Sequence, residues 1–184
     1  MIYFTSDLHF NHDREFIYGP RGFKSVDEMN ETEITNWNNT VTNEDDIYVL
    51  GDFFLGTNHE FIINTLNQLK GRIHLIIGNH DSDAKLNLYK QCSNIVEIAY
   101  ATVIKYKNRL YYLSHYPTLT ANLDNDPNRA IFNLFGHTHS KDKFYEDRPY
   151  MYNVACDAHN STPVSIETIS NDIYNKINEC LSYL

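Results

Sequence analysis

Short apolar runs that end abruptly in polar residues recur along the chain and predict the strands of an α/β protein. The clearest run is residues 72–77, which is followed by Gly78 and then by Asn79, His80 and Asp81. A run that is apolar at nearly every position is typical of a strand buried on both faces of a sheet. Ligands bind at the carboxyl edge of such sheets, so these polar residues lie where a site is expected.

Two earlier runs repeat this arrangement. Residues 2–5 lead into Asp7 and His9, and residues 47–50 lead into Asp52. The segments between the runs begin with helix-capping residues and carry apolar side chains at helical spacing, which predicts helices that cover the sheet. The order of strand, helix, strand, helix and strand indicates parallel βαβ units.

The second half of the chain is predicted to contain an antiparallel arrangement. Residues 95–106 and 109–113 are expected to pair as antiparallel strands, and residues 130–135 and 150–155 to form two more strands. The isoleucines and leucines near the C-terminus share one helical face, with a candidate break at residues 170–172. A parallel half followed by an antiparallel half is therefore expected.

Composition narrows the class of protein. The chain has 184 residues, of which 42% are hydrophobic, and is expected to form one domain over residues 1–184. Its formal charge of −9 argues against a broad surface for nucleic acid or anionic membrane, because both need basic footprints. Nucleic acid is therefore not expected as a partner, except as a short substrate. The oligomeric state is left open.

Cysteine use and hydropathy indicate the compartment. The three cysteines are an odd number with no CxxC pair, which is typical of reduced thiols in a reducing environment. The chain enters a predicted strand at its start, and no apolar run approaches the roughly 18 residues that a membrane span needs. A cytoplasmic protein with no membrane partner is therefore expected.

Metal-capable side chains follow five of the predicted strands. Three or four imidazoles with two or three carboxylates exceed the inner coordination sphere of one ion, whereas two ions that share a bridging carboxylate would use them all. A mixture of Asp, Asn and His without Cys suits Mn²⁺, Fe²⁺ or Zn²⁺ and disfavours a structural zinc site. These residues are Asp7, His9, Asp52, Asn79, His80, His115, His137 and His139.

In this order the motifs resemble those of the calcineurin-like metallophosphoesterases. The resemblance extends from residue 3 to about residue 169, and the opening Ser-Asp-x-His-Phe-x-His is most similar to small single-domain bacterial and phage members. It implies an α/β (α+β) fold, a four-layer α-β-β-α sandwich of two mixed sheets flanked by helices. The motifs are Asp7-x-His9, Gly51-Asp52, Gly78-Asn79-His80-Asp81, His115 and Gly136-His137-x-His139.

The resemblance also implies a role for each motif residue and a reaction. That reaction is hydrolysis of a small phosphodiester or phosphomonoester through a hydroxide that bridges two divalent ions. Mn²⁺ is the expected ion, with Fe²⁺, Zn²⁺ or Ni²⁺ as alternatives. A non-catalytic interaction scaffold on the same fold and a nuclease remain alternative functions. The implied roles are a first metal held by Asp7, His9 and His139, a second held by Asn79, His115 and His137, Asp52 as the bridge, and His80 as the general acid.

The chain also departs from the family pattern. No Asp-Arg-Gly follows Gly51-Asp52, so the carboxylate that orients the catalytic histidine of Ser/Thr protein phosphatases has no match, and Asp81 is a candidate substitute. The segments 10–24 and 118–130 are expected to form the pocket walls. Candidate contacts to an anionic substrate are His12 and Arg14, with Arg21 and Arg129 as further candidates.

Overall fold

The computed structural model describes residues 1–120 and 130–182. Arg129 and most of the expected loop at 118–130 lie outside the described residues. Two β-sheets form the centre of the molecule. The strands are β1 (Ile2–Thr5), β2 (Asp46–Val49), β3 (Arg72–Ile76), β4 (Ile95–Ala99), β5 (Ala101–Tyr106), β6 (Arg109–Ser114), β7 (Ile131–Phe135), β8 (Met151–Asn153) and β9 (Val164–Ser165).

Among the described residues, five α-helices accompany the strands. The capping residues predicted from the sequence are in place, because the side chain of Ser25 accepts from the Glu28 amide and that of Asn58 from the Phe61 amide. The helices are α1 (Glu15–Tyr18), α2 (Val26–Thr40), α3 (His59–Gln68), α4 (Asp83–Tyr89) and α5 (Ile166–Ser182).

The first sheet has the strand order β4-β3-β2-β1-β9. Strands β1 to β4 are parallel, and β9 pairs antiparallel with β1. This arrangement confirms the predicted βαβ units. One face of the sheet packs against the helices that follow its strands, in a core that contains Trp37 of α2, Val49 of β2, Leu66 of α3 and Leu75 of β3.

The second sheet has the order β5-β6-β7-β8. Strands β5 and β6 form the expected antiparallel hairpin, but β6, β7 and β8 are parallel neighbours. The expected antiparallel half is therefore wrong beyond the hairpin. The expected strand 95–106 is also two strands, one in each sheet, since the chain changes sheets at Tyr100, whose side chain is 80% exposed.

Helix α5 closes the space between the two sheets. Ile169 and Ile173 pack in the same core as Phe4 of β1 and Phe132 of β7. The candidate break at 170–172 is wrong, because α5 continues through it. The polar residues there have partners, for example Asp172, which accepts from the hydroxyl of Tyr152 at 2.7 Å.

These elements confirm an α/β fold of two mixed sheets flanked by helices. Each strand of the set β1, β2, β3, β6 and β7 is followed directly by one or more of the metal-capable residues. Cys92, Cys156 and Cys180 are free thiols. Within 1–120 and 130–182, the helices are all too short or too polar to cross a bilayer.

Candidate metal centre

The backbone at the candidate ligands is in an unfavourable conformation. Positive φ angles occur at Asp7 (56°), His9 (50°), Asp52 (55°), His137 (68°) and His139 (49°). The left-handed region is uncommon for residues with a Cβ and costs of the order of 1 kcal/mol or more at each position. Strain of this kind clusters at functional sites, so the local geometry itself marks this edge of the sheets.

Neighbouring loops support this conformation by continuing the strand pairing past the strand ends. The amide of Asp7 donates to the Gly51 carbonyl and that of His9 to the Asp52 carbonyl, each at 3.0 Å. On the second sheet, the amide of Gly136 donates to the His115 carbonyl at 3.0 Å. The ligand loops are therefore held against one another in register.

Two glycines allow these loops to approach closely. A Cβ at Gly78 would collide with the carboxylate and the amide nitrogen of Asp52. A Cβ at Gly136 would collide with the hydroxyl of Ser6 and the carboxylate of Asp7. The Gly-Asn-His-Asp and Gly-His motifs therefore begin with glycine because a side chain would occupy the place of a candidate ligand.

The first group of convergent side chains is Asp7, His9 and His139. The Nε2 atoms of His9 and His139 are 3.2 Å apart, and Oδ1 of Asp7 lies 3.8 Å from Nε2 of His139. Oδ1 of Asp7 is buried and accepts no hydrogen bond from the described residues. A buried carboxylate oxygen without a donor needs compensation, so this donor set fits a divalent cation.

The second group is Asp52, His115 and His137. Nε2 of His115 lies 2.8 Å from Oδ1 of Asn79 and 3.2 Å from Nδ1 of His137. Nδ1 of His115 is 2.8 Å from the Leu50 carbonyl, which only accepts, so Nδ1 carries the proton and Nε2 presents its lone pair to the group. This orientation is the one that a metal ligand requires.

Asp52 faces both groups. Its Oδ2 atom lies 3.7 Å from Nε2 of His9 in the first group and 3.6 Å from Nε2 of His115 in the second. Its Oδ1 atom accepts from the backbone amide of His80 at 2.8 Å. Oδ2 is therefore directed at the boundary between two candidate ion positions, where a bridging carboxylate would lie.

His80 lies on the solvent-exposed side of the two ligand groups. Its side chain is 46% exposed, and Nε2 lies 4.0 Å from Oδ2 of Asp52. The ring meets the edge of His9 at a centroid distance of 5.4 Å. His80 can therefore meet a group that enters from solvent while its backbone is fixed to Asp52.

Asp81 does not take the role proposed for it from the sequence. Its Oδ2 atom accepts from the amides of Asp52 (2.8 Å) and Gly78 (2.9 Å), and its Oδ1 from the amide of Phe53 (3.3 Å) and the Tyr89 hydroxyl (3.3 Å). The carboxylate joins two ligand loops instead of orienting the His80 ring. Burial raises the pKa of Asp81, and the backbone donors oppose that rise.

The residues predicted to contact an anionic substrate differ in their distance from the candidate metal centre. The ring of His12 lies 5.4 Å from that of His9, so the structure brings it to the site. Arg14 is exposed and donates to the Asp13 carbonyl, and its role in substrate binding stays a prediction. The prediction that Arg21 grips the substrate is wrong, because its side chain is only 2% exposed and is paired with Glu33 and Asp157.

Asp157 is a residue of the site that sequence reasoning missed. Its Oδ2 atom accepts from Nδ1 of His139 at 3.1 Å, which directs Nε2 of that histidine to the first group. Burial opposes ionisation of Asp157, but the His139 contact and the charge of Arg21 outweigh it and hold the pKa below its usual range. No local pattern around Asp157 signals this contact across 18 residues.

Burial also shifts the pKa of two members of the first group, His9 and Asp7. It lowers the pKa of His9 to about 2, with help from the neighbouring charges of His139 and Arg21. The ring is therefore neutral near pH 7, as a metal ligand must be. Burial raises the pKa of Asp7 to about 6 despite the opposing charges of His115 and His139, so a cation beside this carboxylate would restore its ionised form.

Two mixed sheets with a His- and carboxylate-lined edge define an α/β protein with a candidate two-metal centre. Its residues 1–162 match the model of the calcineurin-like phosphoesterase superfamily domain, and the chain belongs to that superfamily.

Similar proteins cover most of the chain. An uncharacterized protein, MJ1445 of Methanocaldococcus jannaschii, is 33% identical over 173 residues, which is 91% of this chain and 88% of that protein. The crystal structure of AQ665 from Aquifex aeolicus, a protein of unknown function, has a TM-score of 0.72 at 26% identity and covers 93% of this chain and 98% of that one. The gene 66 protein of Mycobacterium phage L5 is 33% identical over 88 residues, 46% of this chain and 42% of that protein.

Proposed function

We propose that this protein is a two-metal phosphoesterase that hydrolyses a small phosphodiester or phosphomonoester. The observation that carries the proposal is the position of the Asp52 carboxylate, whose Oδ2 lies within 3.7 Å of an imidazole nitrogen in each ligand group. A shared carboxylate between two groups is the arrangement expected of a binuclear centre. Membership of the phosphoesterase superfamily supports the reaction class.

The residues of the chain have distinct roles in this proposal. Divalent ions held by the two groups would supply activation of a water and neutralisation of charge on the phosphoryl oxygens. His80 is the proposed general acid, since its exposed ring can give a proton to the leaving oxygen. Asp7, His9 and His139 would hold one ion, Asn79, His115 and His137 the other, and Asp52 both.

The proposed ions and substrate follow from the donor set and the charge. Imidazole, carboxylate and amide donors without thiolate suit Mn²⁺, which we propose as the ion, with Fe²⁺, Zn²⁺ and Ni²⁺ as alternatives. The net charge of −9 disfavours a long polyanion. His12, which lies beside His9, is placed to contact a small substrate as it enters.

Hydrolysis by metal-stripped protein that has been reloaded with Mn²⁺ tests the proposal. The substrates are bis-p-nitrophenyl phosphate and p-nitrophenyl phosphate, measured side by side. Asp52→Asn is expected to reduce turnover to the level of the metal-free protein. Asp46→Asn is the matched control, because Asp46 begins β2, the strand that Asp52 follows, and is paired with Arg72.

The outcomes separate the candidate functions. Metal-dependent turnover that Asp52→Asn removes and Asp46→Asn keeps would support the two-metal enzyme, and the ratio of the two rates would distinguish diesters from monoesters. A chain that binds no metal would contradict the proposal and favour the interaction scaffold.

A further inference from the structure

Arg21 is buried behind the first ligand group and uses every N–H of its guanidinium. Nη2 donates to the Asp7 carbonyl at 2.6 Å, and Nη1 donates to the Leu8 carbonyl at 3.0 Å. Nε and Nη2 donate to the two oxygens of Asp157, each at 3.0 Å, in a bidentate pair. The remaining donor of Nη1 reaches Glu33 at 3.1 Å.

Two of these contacts fix the backbone from which two ligands project. Asp7 and His9 both have positive φ angles, 56° and 50°, and Leu8 lies between them. The carbonyls of Asp7 and Leu8 both accept from the guanidinium. A strained backbone persists only where its surroundings hold it, and here the guanidinium is part of what holds it.

The contact to Asp157 fixes the third ligand. Asp157 accepts from Nδ1 of His139 at 3.1 Å while it is bound at both oxygens by Arg21. The carboxylate therefore cannot rotate without breaking the bidentate pair, and the His139 ring keeps Nε2 on the first group. One side chain thus supports all three members of the group.

The second group has a different support. His115 is held through the Leu50 carbonyl, a main-chain group, at 2.8 Å. The hydrogen bonds of the Arg21 guanidinium to the metal-centre loops reach only the first group among the described residues. Loss of the guanidinium should therefore affect the two groups unequally.

We propose that Arg21 is the positioning residue of the first metal site, where it holds Asp7, His9 and His139 in their binding geometry through two main-chain carbonyls and Asp157. This inference rests on the proposed two-metal function. Lysine cannot replace Arg21. The planar fork of a guanidinium reaches two carbonyls and both oxygens of a carboxylate at once, and a single ammonium cannot.

Mn²⁺ binding to single-site variants tests the inference without relying on catalysis. His137→Ala leaves the first group complete, and His139→Ala leaves the second. We expect Arg21→Lys to weaken Mn²⁺ binding roughly 10- to 100-fold in the His137→Ala background, as is typical for loss of a residue that orients a ligand. In the His139→Ala background it should leave the affinity unchanged. Calorimetric titration and the Mn²⁺ electron paramagnetic resonance spectrum report the affinity and the number of ions.

Two further variants control for damage to the fold. Asp157→Asn is milder and should also weaken binding only in the His137→Ala background. Glu33→Gln is the matched control, since Glu33 contacts the same guanidinium, is even more buried than Asp157 and has no hydrogen bond to a ligand residue. It should retain both ions. Circular dichroism checks that each variant is folded. If Arg21→Lys does not fold, the Mn²⁺ affinity of Asp157→Asn tests the inference instead.

The outcomes separate this inference from the proposed function. Unchanged affinity of Arg21→Lys and Asp157→Asn in the His137→Ala background would overturn the role of Arg21 alone, as would an equal loss in both backgrounds. Wild-type protein that binds two ions but hydrolyses no phosphoester would overturn the proposed function and leave the role of Arg21 supported by the binding data. Wild-type protein that binds fewer than two ions would overturn both.

Discussion

The two ligand groups lie at one edge of the sheets but are supported by different parts of the molecule. The first group is backed by a buried ion pair between Arg21 and Asp157, which reaches its ligands through main-chain carbonyls and through His139. The second group depends on the Leu50 carbonyl, a main-chain group that accepts from Nδ1 of His115 at 2.8 Å.

The difference follows from where the ligands originate. The first group joins the end of β1 to the loop after β7, and residues from distant segments fill the space behind it. The members of the second group are single residues that follow β2, β6 and β7. Left-handed backbone occurs in both groups, at Asp52 and His137 as well as at Asp7, so the groups differ in the buried side chains behind them.

The largest expected effect concerns His80, which belongs to neither group. His80→Ala should retain both ions and lose roughly 10²- to 10⁴-fold in rate on an ester with an alkyl leaving group, because the departing alkoxide needs a proton. A p-nitrophenyl ester is the internal control, since its leaving group departs without protonation and should be affected far less.

The ion content of the same variant is measured by elemental analysis. Loss of an ion from His80→Ala would indicate that His80 is itself a metal ligand, so the two ligand groups would have to be redefined. An undiminished rate on the alkyl ester, with both ions present, would remove His80 from the mechanism.

The next effect compares the two groups directly. His137→Ala, which keeps the first group, should bind its remaining Mn²⁺ roughly 10-fold or more tightly than His139→Ala binds its own, because buried supports that orient ligands are worth about that much in metal affinity. Calorimetric titration measures both constants. Equal affinities, or a tighter second site, would contradict this order of the two groups.

The smallest expected effect concerns Gly136, where a Cβ would meet Ser6 and Asp7. Gly136→Ala should cost about 1–3 kcal/mol of stability through overpacking and should weaken the first site. Gly71→Ala is the control for a destabilising change away from the ligands, because a Cβ there would meet Val41, its φ is 93°, and it lies between α3 and β3. Both variants should unfold at a lower temperature, while Mn²⁺ titration should show weakening only for Gly136→Ala.

Much of this architecture could be predicted from the sequence because its signals are local. A buried strand followed by a glycine and a polar residue is visible in Gly51-Asp52 and in Gly78-Asn79, and the helix that precedes each of these strands is marked by its capping residue, Ser25 or Asn58. The parallel order of the strands then brings their ends to one edge. The fold class and the superfamily follow from this pattern.

Other features depend on contacts that the sequence does not mark. The change of sheet at Tyr100 occurs without a glycine or proline inside residues 95–106. Arg21 and Asp157 are 136 positions apart, so an arginine in a polar segment resembles a surface residue until the fold buries it. Helix α5 passes through residues 170–172 because tertiary partners satisfy their polar side chains, as Tyr152 does for Asp172.

The left-handed backbone at the candidate ligands sets a trade-off between stability and function. Replacement of His9 or His137 by glycine would relieve the backbone strain but would also remove a candidate metal ligand. Selection for stability alone would therefore tend to erase the centre, starting at these positions. A chain with glycine at these two positions would have a less strained backbone but would lack two of the candidate metal ligands.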